Sequence, residues 1–179
     1  MKRSIISAAV LSAVFMSAGA FAADSDQGEL IITGKVVGTT CKFTGDTTAT
    51  IAMNEIGVDR LNSVSAGGIY DGYSNKTTMP LSVECDPGVT PHISFSSSQF
   101  NPGANNAITI NTASKDNGAG FAVYYNGTLI KPDSNIDLGT SPQGDGKYNL
   151  DFTARYANLS GTVIPGDVTS SVTMTVVAD

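Results

Sequence analysis

No stretch of this chain keeps apolar residues at a helical spacing for long. Alternation with a period of two recurs instead, and turn residues interrupt it, which predicts strands. Gly28–Val37 places Gly28, Leu30, Ile32, Gly34 and Val36 on one face and Glu29, Ile31, Thr33, Lys35 and Val37 on the other. The first face is wholly apolar or bare. A short polar run, Asp24-Ser25-Asp26-Gln27, precedes it, so no neighbour in sequence can pair with it as a hairpin. Thr39–Ile51, with Cys41 and Phe43, reads as the first strand of the body. Asn54–Asn75 reads as a loop that leaves room for a short helical turn. In the next strand Met79, Leu81, Val83 and Cys85 face one way and Thr78, Pro80, Ser82 and Glu84 the other. Pro80 lacks an N–H, so this strand should start at an edge or bulge.

Asp86-Pro87-Gly88 marks a turn. Pro91–Ser97 then sets Ile93 and Phe95 against His92, Ser94 and Ser96, until Asn101-Pro102-Gly103 breaks the run. Ile108 and Ile110 predict a short strand, Lys115–Gly118 a turn, and Phe121–Tyr125 another strand. Asn126-Gly127 is the strongest hairpin signal, leading into Leu129-Ile130. Pro132-Asp133 and Gly139–Gly146 read as loops. Tyr148, Leu150, Phe152, Ala154 and Tyr156 share one face of a long strand, opposite Lys147, Asn149, Asp151, Thr153 and Arg155. After Ile164-Pro165-Gly166, the last strand puts Val168, Val172, Met174, Val176 and Ala178 on one face, with Thr169, Ser171, Thr173 and Thr175 opposite. Many short strands joined by turns make an all-β, immunoglobulin-like antiparallel sandwich the natural architecture.

The first 22 residues stand apart from this pattern. Lys2 and Arg3, the apolar run Ile5–Phe15 and the small-x-small site Ala20-Phe21-Ala22 predict a secretory signal peptide, with Ala23 the first mature residue. The apolar core is too short for a membrane anchor. Of 179 residues, 179 − 22 leaves 157, the size of one domain. Loss of Lys2 and Arg3 leaves 8 basic against 16 acidic residues, so the formal charge moves from −6 to −8. That argues against nucleic acid, which requires basic patches.

Export changes the reading of Cys41 and Cys85. In an oxidising compartment an isolated pair should be bridged. The alternatives are free thiols or a metal site, but two Cys and one distant His make a poor zinc set. Their separation, 85 − 41 = 44 residues, gives about 4 kcal/mol of loop-closure stabilisation in the chain-entropy account.

Several pieces then line up in order: a signal peptide, an extension running into Gly34-Lys35-Val36-Val37, and Cys41 soon after. Leu81-Ser82-Val83-Glu84-Cys85, Phe152-Thr153-Ala154-Arg155-Tyr156, Gly166 fourteenth from the end, and an alternating terminal strand follow. Together they resemble a chaperone–usher fimbrial pilin subunit of the type 1 and P-pilus class, across essentially the whole chain. One position departs: the family commonly has an aromatic next to last, where this chain has Ala178. The resemblance implies a signal peptide at 1–22, a donor-strand extension at 23–38 and a pilin domain at 39–179. It implies a sandwich lacking its seventh strand, with a groove beside the C-terminal strand.

By that resemblance, Leu30, Ile32, Gly34 and Val36 form the donor strand for a neighbouring subunit. Gly166, Val168, Val172, Met174 and Val176 form the acceptor groove, and Asp179 ends near a chaperone's basic anchor. The implied partners are identical or related pilins in a head-to-tail filament, a periplasmic pilus chaperone and an outer-membrane usher, with host glycans or proteins left open. The implied location is the cell surface, as part of a fimbria, and no cofactor is implied.

Elementary physics points the same way. A chain that ends on a strong amphipathic strand leaves an open edge, which proteins normally cover. Exchange of a strand head to tail is heterologous and generates an open filament. Burial of Leu30, Ile32 and Val36 would contribute roughly 5–9 kcal/mol. Gly34 suits a place where the groove floor approaches the inserted backbone.

The competing readings are plainer. Leu30 and Ile32 could belong to the first strand of a self-contained sandwich. The chain could be a secreted single-domain carbohydrate-binding adhesin, with Tyr70, Tyr73, Tyr124 and Tyr125 as stacking platforms in the absence of Trp. The family's tip adhesins, however, carry an additional lectin domain, for which 157 residues leave no room. An enzyme is disfavoured: lone His92 has no evident nucleophile or orienting acid, and no Gly-x-Ser-x-Gly elbow is present. Asp116-Asn117-Gly118 and Asp145-Gly146 lack the ligand series of a calcium loop and read as turns. Asn75, Asn126 and Asn158 begin glycosylation-like triplets, which carry little weight in the bacterial setting the resemblance implies.

Overall fold

The computed structural model describes residues 28–36, 41–103, 107–114, 116–139 and 145–178. The expected leader, Ala23 and Asp179 lie outside the described residues. In chain order the strands are β1 (Gly28–Val36), β2 (Cys41–Phe43), β3 (Thr48–Met53), β4 (Asn75–Lys76), β5 (Leu81–Cys85) and β6 (Pro91–Phe95). They continue as β7 (Ala119–Tyr125), β8 (Thr128–Leu129), β9 (Ile136–Asp137), β10 (Lys147–Leu150), β11 (Phe152–Asn158) and β12 (Val168–Ala178). One four-residue helix, α1 (Val58–Leu61), sits in the segment expected to hold a helical turn.

These strands form three sheets, ordered β3-β1-β12-β6-β9, β10-β5-β2 and β4-β11-β7-β8. The first packs against the other two across one apolar core. Phe95 of β6 meets Phe152 of β11 edge-on with centroids 6.0 Å apart, and Phe152 also meets Tyr125 of β7 at 5.5 Å. Phe121 and Tyr156 add a contact at 5.1 Å. Aromatic pairs in these tilted arrangements add to plain area burial.

Two expected strands are each divided. The Thr39–Ile51 stretch breaks after Phe43, where Gly45 takes φ 98°, so β2 joins β5 while β3 joins β1. The Tyr148–Tyr156 alternation breaks at Asp151, and the chain passes from the β5 sheet to the β7 sheet. Tyr148, Leu150, Phe152, Ala154 and Tyr156 are nevertheless all buried. Both halves face the same core, so the two-residue period survives the change of sheet and conceals it from a reading of the sequence.

Smaller differences have local causes. Met79 was expected on the buried face of β5, but it is 62% exposed, because the chain bends at Thr78 and Met79 before β5 begins. Ile108 and Ile110 form no named strand. Ile108 bridges to Ala122, Thr109 bridges to Phe100, and of the two isoleucines only Ile108 is buried. β9 lies in a stretch the pattern left unassigned, where Ile136 pairs with Ile93. The Asn126-Gly127 hairpin forms as expected between β7 and β8. Both residues have positive φ, 46° and 78°, as a type I′ turn requires. Cys41 and Cys85 face each other across β2 and β5 and are bridged, with Cα atoms 4.0 Å apart.

Candidate functional site: a slot filled by the first strand

β1 lies between β12 and β3 and pairs with both. Its ladder with β12 is parallel and runs from Gly28 opposite Val168 to Val36 opposite Val176. Its ladder with β3 is antiparallel and runs from Gly28 opposite Met53 to Thr33 opposite Thr48. β3 and β12 do not pair with each other. Without β1, the first sheet would therefore contain an open slot with an unpaired backbone edge on each side. This placement differs from the expectation that the stretch would lie outside its own body. A ladder needs only backbone N–H and C=O groups at the right spacing, and a strand from the same chain supplies them as well as a strand from another.

The residues expected to form donor and groove come together in register. Leu30, Ile32, Gly34 and Val36 stand opposite Ser170, Val172, Met174 and Val176. Val168, Val172, Met174 and Val176 are buried, with Met174 and Val176 fully so. Ser170, which the apolar pattern skipped, is also fully buried. Its hydroxyl donates to the Ile110 carbonyl at 2.7 Å and accepts from Thr109 Oγ1 at 2.8 Å. Beside Val168 the slot opens into an apolar recess lined by Ile56, Val58, Leu61, Tyr156 and Val163. Ile164 stands on its rim, 53% exposed.

Both walls of the slot are held on the side away from β1. On β12, the Thr169 N–H donates to Asn111 Oδ1 at 3.0 Å, and the Thr169 carbonyl accepts from the Thr112 N–H at 2.7 Å. The Thr173 carbonyl accepts from the Ser96 N–H at 3.0 Å, and β6 pairs with Met174–Ala178. On β3, the Thr50 carbonyl accepts from the Thr78 N–H at 3.1 Å, and the Ala52 carbonyl accepts from Asn75 Nδ2. The walls therefore keep hydrogen-bonded support that does not come from the strand between them.

Asn111 and Asn117, both buried, tie the loop before β7 to the start of β12. Asn111 Nδ2 donates to Asn117 Oδ1 at 2.9 Å and to the Asp167 carbonyl at 2.9 Å. Asn117 Nδ2 donates to the Gly166 carbonyl at 3.3 Å. Gly166 has φ 155°, and a Cβ there would stand 3.3 Å from Ser114 Oγ, so glycine suits the point where the chain enters β12. Sequence reasoning missed this cluster, since Asn117-Gly118 signals only a turn.

A family model described as fimbrial protein matches residues 30–178, from within β1 to the last residue of β12. The chain belongs to the fimbrial protein family. Members of this family are structural subunits displayed on the cell surface. The uncharacterized fimbrial-like protein YehD of Escherichia coli (strain K12) is 33% identical over 184 aligned positions covering 100% of both chains. The type 1 fimbrin D-mannose specific adhesin of the same strain is 32% identical over 107 residues, 59% of this chain and 34% of the adhesin. Among solved structures, the P pilus rod subunit PapA aligns with TM-score 0.57 at 16% identity, over 79% of this chain and 100% of that one. A chain of a chaperone–usher pilus aligns with TM-score 0.57 at 17% identity, over 82% and 92%. These two structures share the fold of this fimbrial subunit.

The other sequence candidates serve the fold. Tyr125 is buried, and burial pushes its hydroxyl pKa up, with the Asn126 side chain opposing the shift and Asp151 adding to it. Tyr70 and Tyr73 pack against the core, and the Tyr73 hydroxyl donates to the Asn54 carbonyl. Arg155 lies over the Tyr124 ring at 5.1 Å while paired with Asp71. Each candidate sugar platform thus has part of its ring surface taken up by the protein. Asn158 is fully buried, and its Nδ2 donates to the Leu61 and Val64 carbonyls at 3.1 and 3.0 Å, tying α1 to β11. His92 pairs in register with Asp137 and Val177. Among the described residues no helix is long and apolar enough to cross a membrane, and no group of three or more His, Cys, Asp or Glu could hold a metal ion.

Proposed function

We propose that this fimbrial subunit polymerises by donor-strand exchange, with β1 of one subunit entering the slot between β3 and β12 of the next. The observation that carries the reading is that β1 alone joins β3 to β12, while both walls are anchored on their far sides. β1 is also connected to the following body strand only through the four residues between Val36 and Cys41. It can leave without unthreading the sandwich. Strand addition at an open edge is an established recognition mode, and pilin donor-strand complementation is a standard example of it. Head-to-tail exchange does not close, so it builds a fibre.

In this reading residues 1–22 direct export, 23–38 form the extension and 39–179 the pilin domain. A periplasmic chaperone lends a strand to the slot until an outer-membrane usher presents the next subunit. Gly166, Val168, Val172, Met174, Val176 and Asp179 serve the chaperone and the incoming strand in turn. The work is structural, and the family points away from catalysis.

The test is fibre assembly measured beside recovery of the chaperone complex. Ile32→Asp places a carboxylate in register with buried Val172, and desolvating it without a partner is costly. Gly34→Leu adds bulk opposite Met174. Both variants should keep the chaperone complex and lose fibres, whereas Thr33→Asp should assemble. Normal fibres from all three variants would remove β1 as the donor. Loss of the chaperone complex in the first two would make β1 a permanent strand of its own sandwich.

A further inference from the structure

The methionines of this chain sit in opposed surroundings. Of the five in the sequence, Met1 and Met16 fall in the expected signal peptide, which leaves Met53, Met79 and Met174. Met53 is 2% and Met174 0% exposed, and both belong to the apolar core. They also stand on the two walls of the slot, Met53 on β3 in register with Gly28 and Met174 on β12 in register with Gly34. Met79 lies on the bend before β5 and is 62% exposed. We infer that Met79 is an oxidation site, where the subunit takes up one oxygen atom from a peroxide and remains competent to assemble. The site itself stands apart from the donor-strand reading; only the assembly readout rests on it.

The step is an oxygen transfer. A lone pair of Met79 Sδ attacks one oxygen of hydrogen peroxide, the O–O bond breaks, and a proton shift releases water. The sulfur is oxidised by two electrons to the sulfoxide, and the peroxide is reduced by the same two. A thioether needs only contact with the oxidant, so exposure decides which methionine reacts. Met53 and Met174 meet peroxide only when the core opens, which is rare, so Met79 should be oxidised at least about 100-fold faster.

The cost of the product follows the same order. A sulfoxide is polar and accepts hydrogen bonds, which water supplies at position 79. In the core that holds Phe95 and Phe152 it would be a buried acceptor without a partner. The backbone around Met79 is fixed by its neighbours. The Thr77 N–H donates to the Phe152 carbonyl at 2.9 Å, the Thr78 N–H donates to the Thr50 carbonyl at 3.1 Å, and Leu81 opens the ladder with β10. A change of polarity at the Met79 side chain therefore leaves β3, one wall of the slot, in place.

The test treats the chaperone complex of the mature subunit, and assembled fibres, with hydrogen peroxide, and maps sulfoxide by peptide mass spectrometry. Met79 sulfoxide is expected in both, with Met53 and Met174 intact. Oxidation of all three at one rate would overturn the assignment, and so would a Met79 that stays reduced in either sample. Tolerance is read without oxidant from Met79→Gln, whose amide stands in for the polar sulfoxide. This variant should give fibres at wild-type yield, whereas Met174→Gln should lose the chaperone complex. A Met79→Gln subunit that forms its complex but no fibre would overturn the tolerance, as would one that yields no complex. Wild-type recovery of Met174→Gln would overturn the contrast between the two positions. Normal fibres from Ile32→Asp would remove the donor-strand reading and leave the oxidation map standing.

Discussion

β1 and β12 lie side by side in one sheet, and both read as amphipathic strands in the sequence. Their situations differ. β12 has β1 on one side and, on the other, Asn111, Thr112, Ser96 and β6 in succession. Its Val172, Met174 and Val176 sit in the core that also holds Phe95 and Phe152. β1 has a ladder on each edge but joins the body through a single short link. Apolar alternation tells which strands need burial. Connectivity and support from outside the pair set β1 apart as the strand that the donor-strand proposal treats as exchangeable.

The largest expected effect lies on β12. Met174→Asp would bury an unpaired carboxylate at a fully buried position and should cost more than about 4 kcal/mol. The chaperone complex should not be recovered, in contrast to Ile32→Asp on β1. Wild-type recovery would erase the distinction between fixed and exchangeable strands.

Loss of the bridge comes next. Replacing both Cys41 and Cys85 by Ser removes a closure across 44 residues and should destabilise the body by about 4 kcal/mol, read as a lower urea midpoint. Because β2 and β5 belong to a different sheet from β1, fibres that do form should exchange strands normally. Fibre defects beyond the loss of folded subunit would show that the bridge shapes the slot itself.

The smallest effect sharpens the role of outside support. Asn111→Ala strips the Thr169 N–H and the Asp167 carbonyl of a side-chain partner and should cost about 2 kcal/mol in urea unfolding. Uptake of a synthetic peptide of residues 28–36 by chaperone-released subunit should fall with it, since the start of β12 loses its clamp. Unchanged stability would mean that β6 and the remaining backbone bonds hold this wall alone.

The strands and the core were legible because alternation is local: the buried apolar residues of β5 and β6, and most of those of β11 and β12, recur two positions apart. The bridge was legible because export and an isolated pair of cysteines leave few options. The Asn126-Gly127 turn was legible because only certain residues accept positive φ there. The asparagine clamp was not legible. Asn111, Asn117 and Asn158 act through partners tens of residues away, and a polar residue looks the same in sequence whether it bonds water or a distant carbonyl.

The sequence by itself determined that Gly28–Val36 alternates as a strand with one wholly apolar or bare face, which gains from leaving water. It also carried the family, because that rests on residue identities in order. Only the tertiary structure decided where the chain changes sheet at Asp151, which strands flank the slot, and that this chain's own β1 can fill it in parallel. The reason is that strand pairing runs through backbone groups common to every residue. Side-chain periodicity records which face is buried, and it leaves the identity and direction of the neighbouring strand to long-range packing.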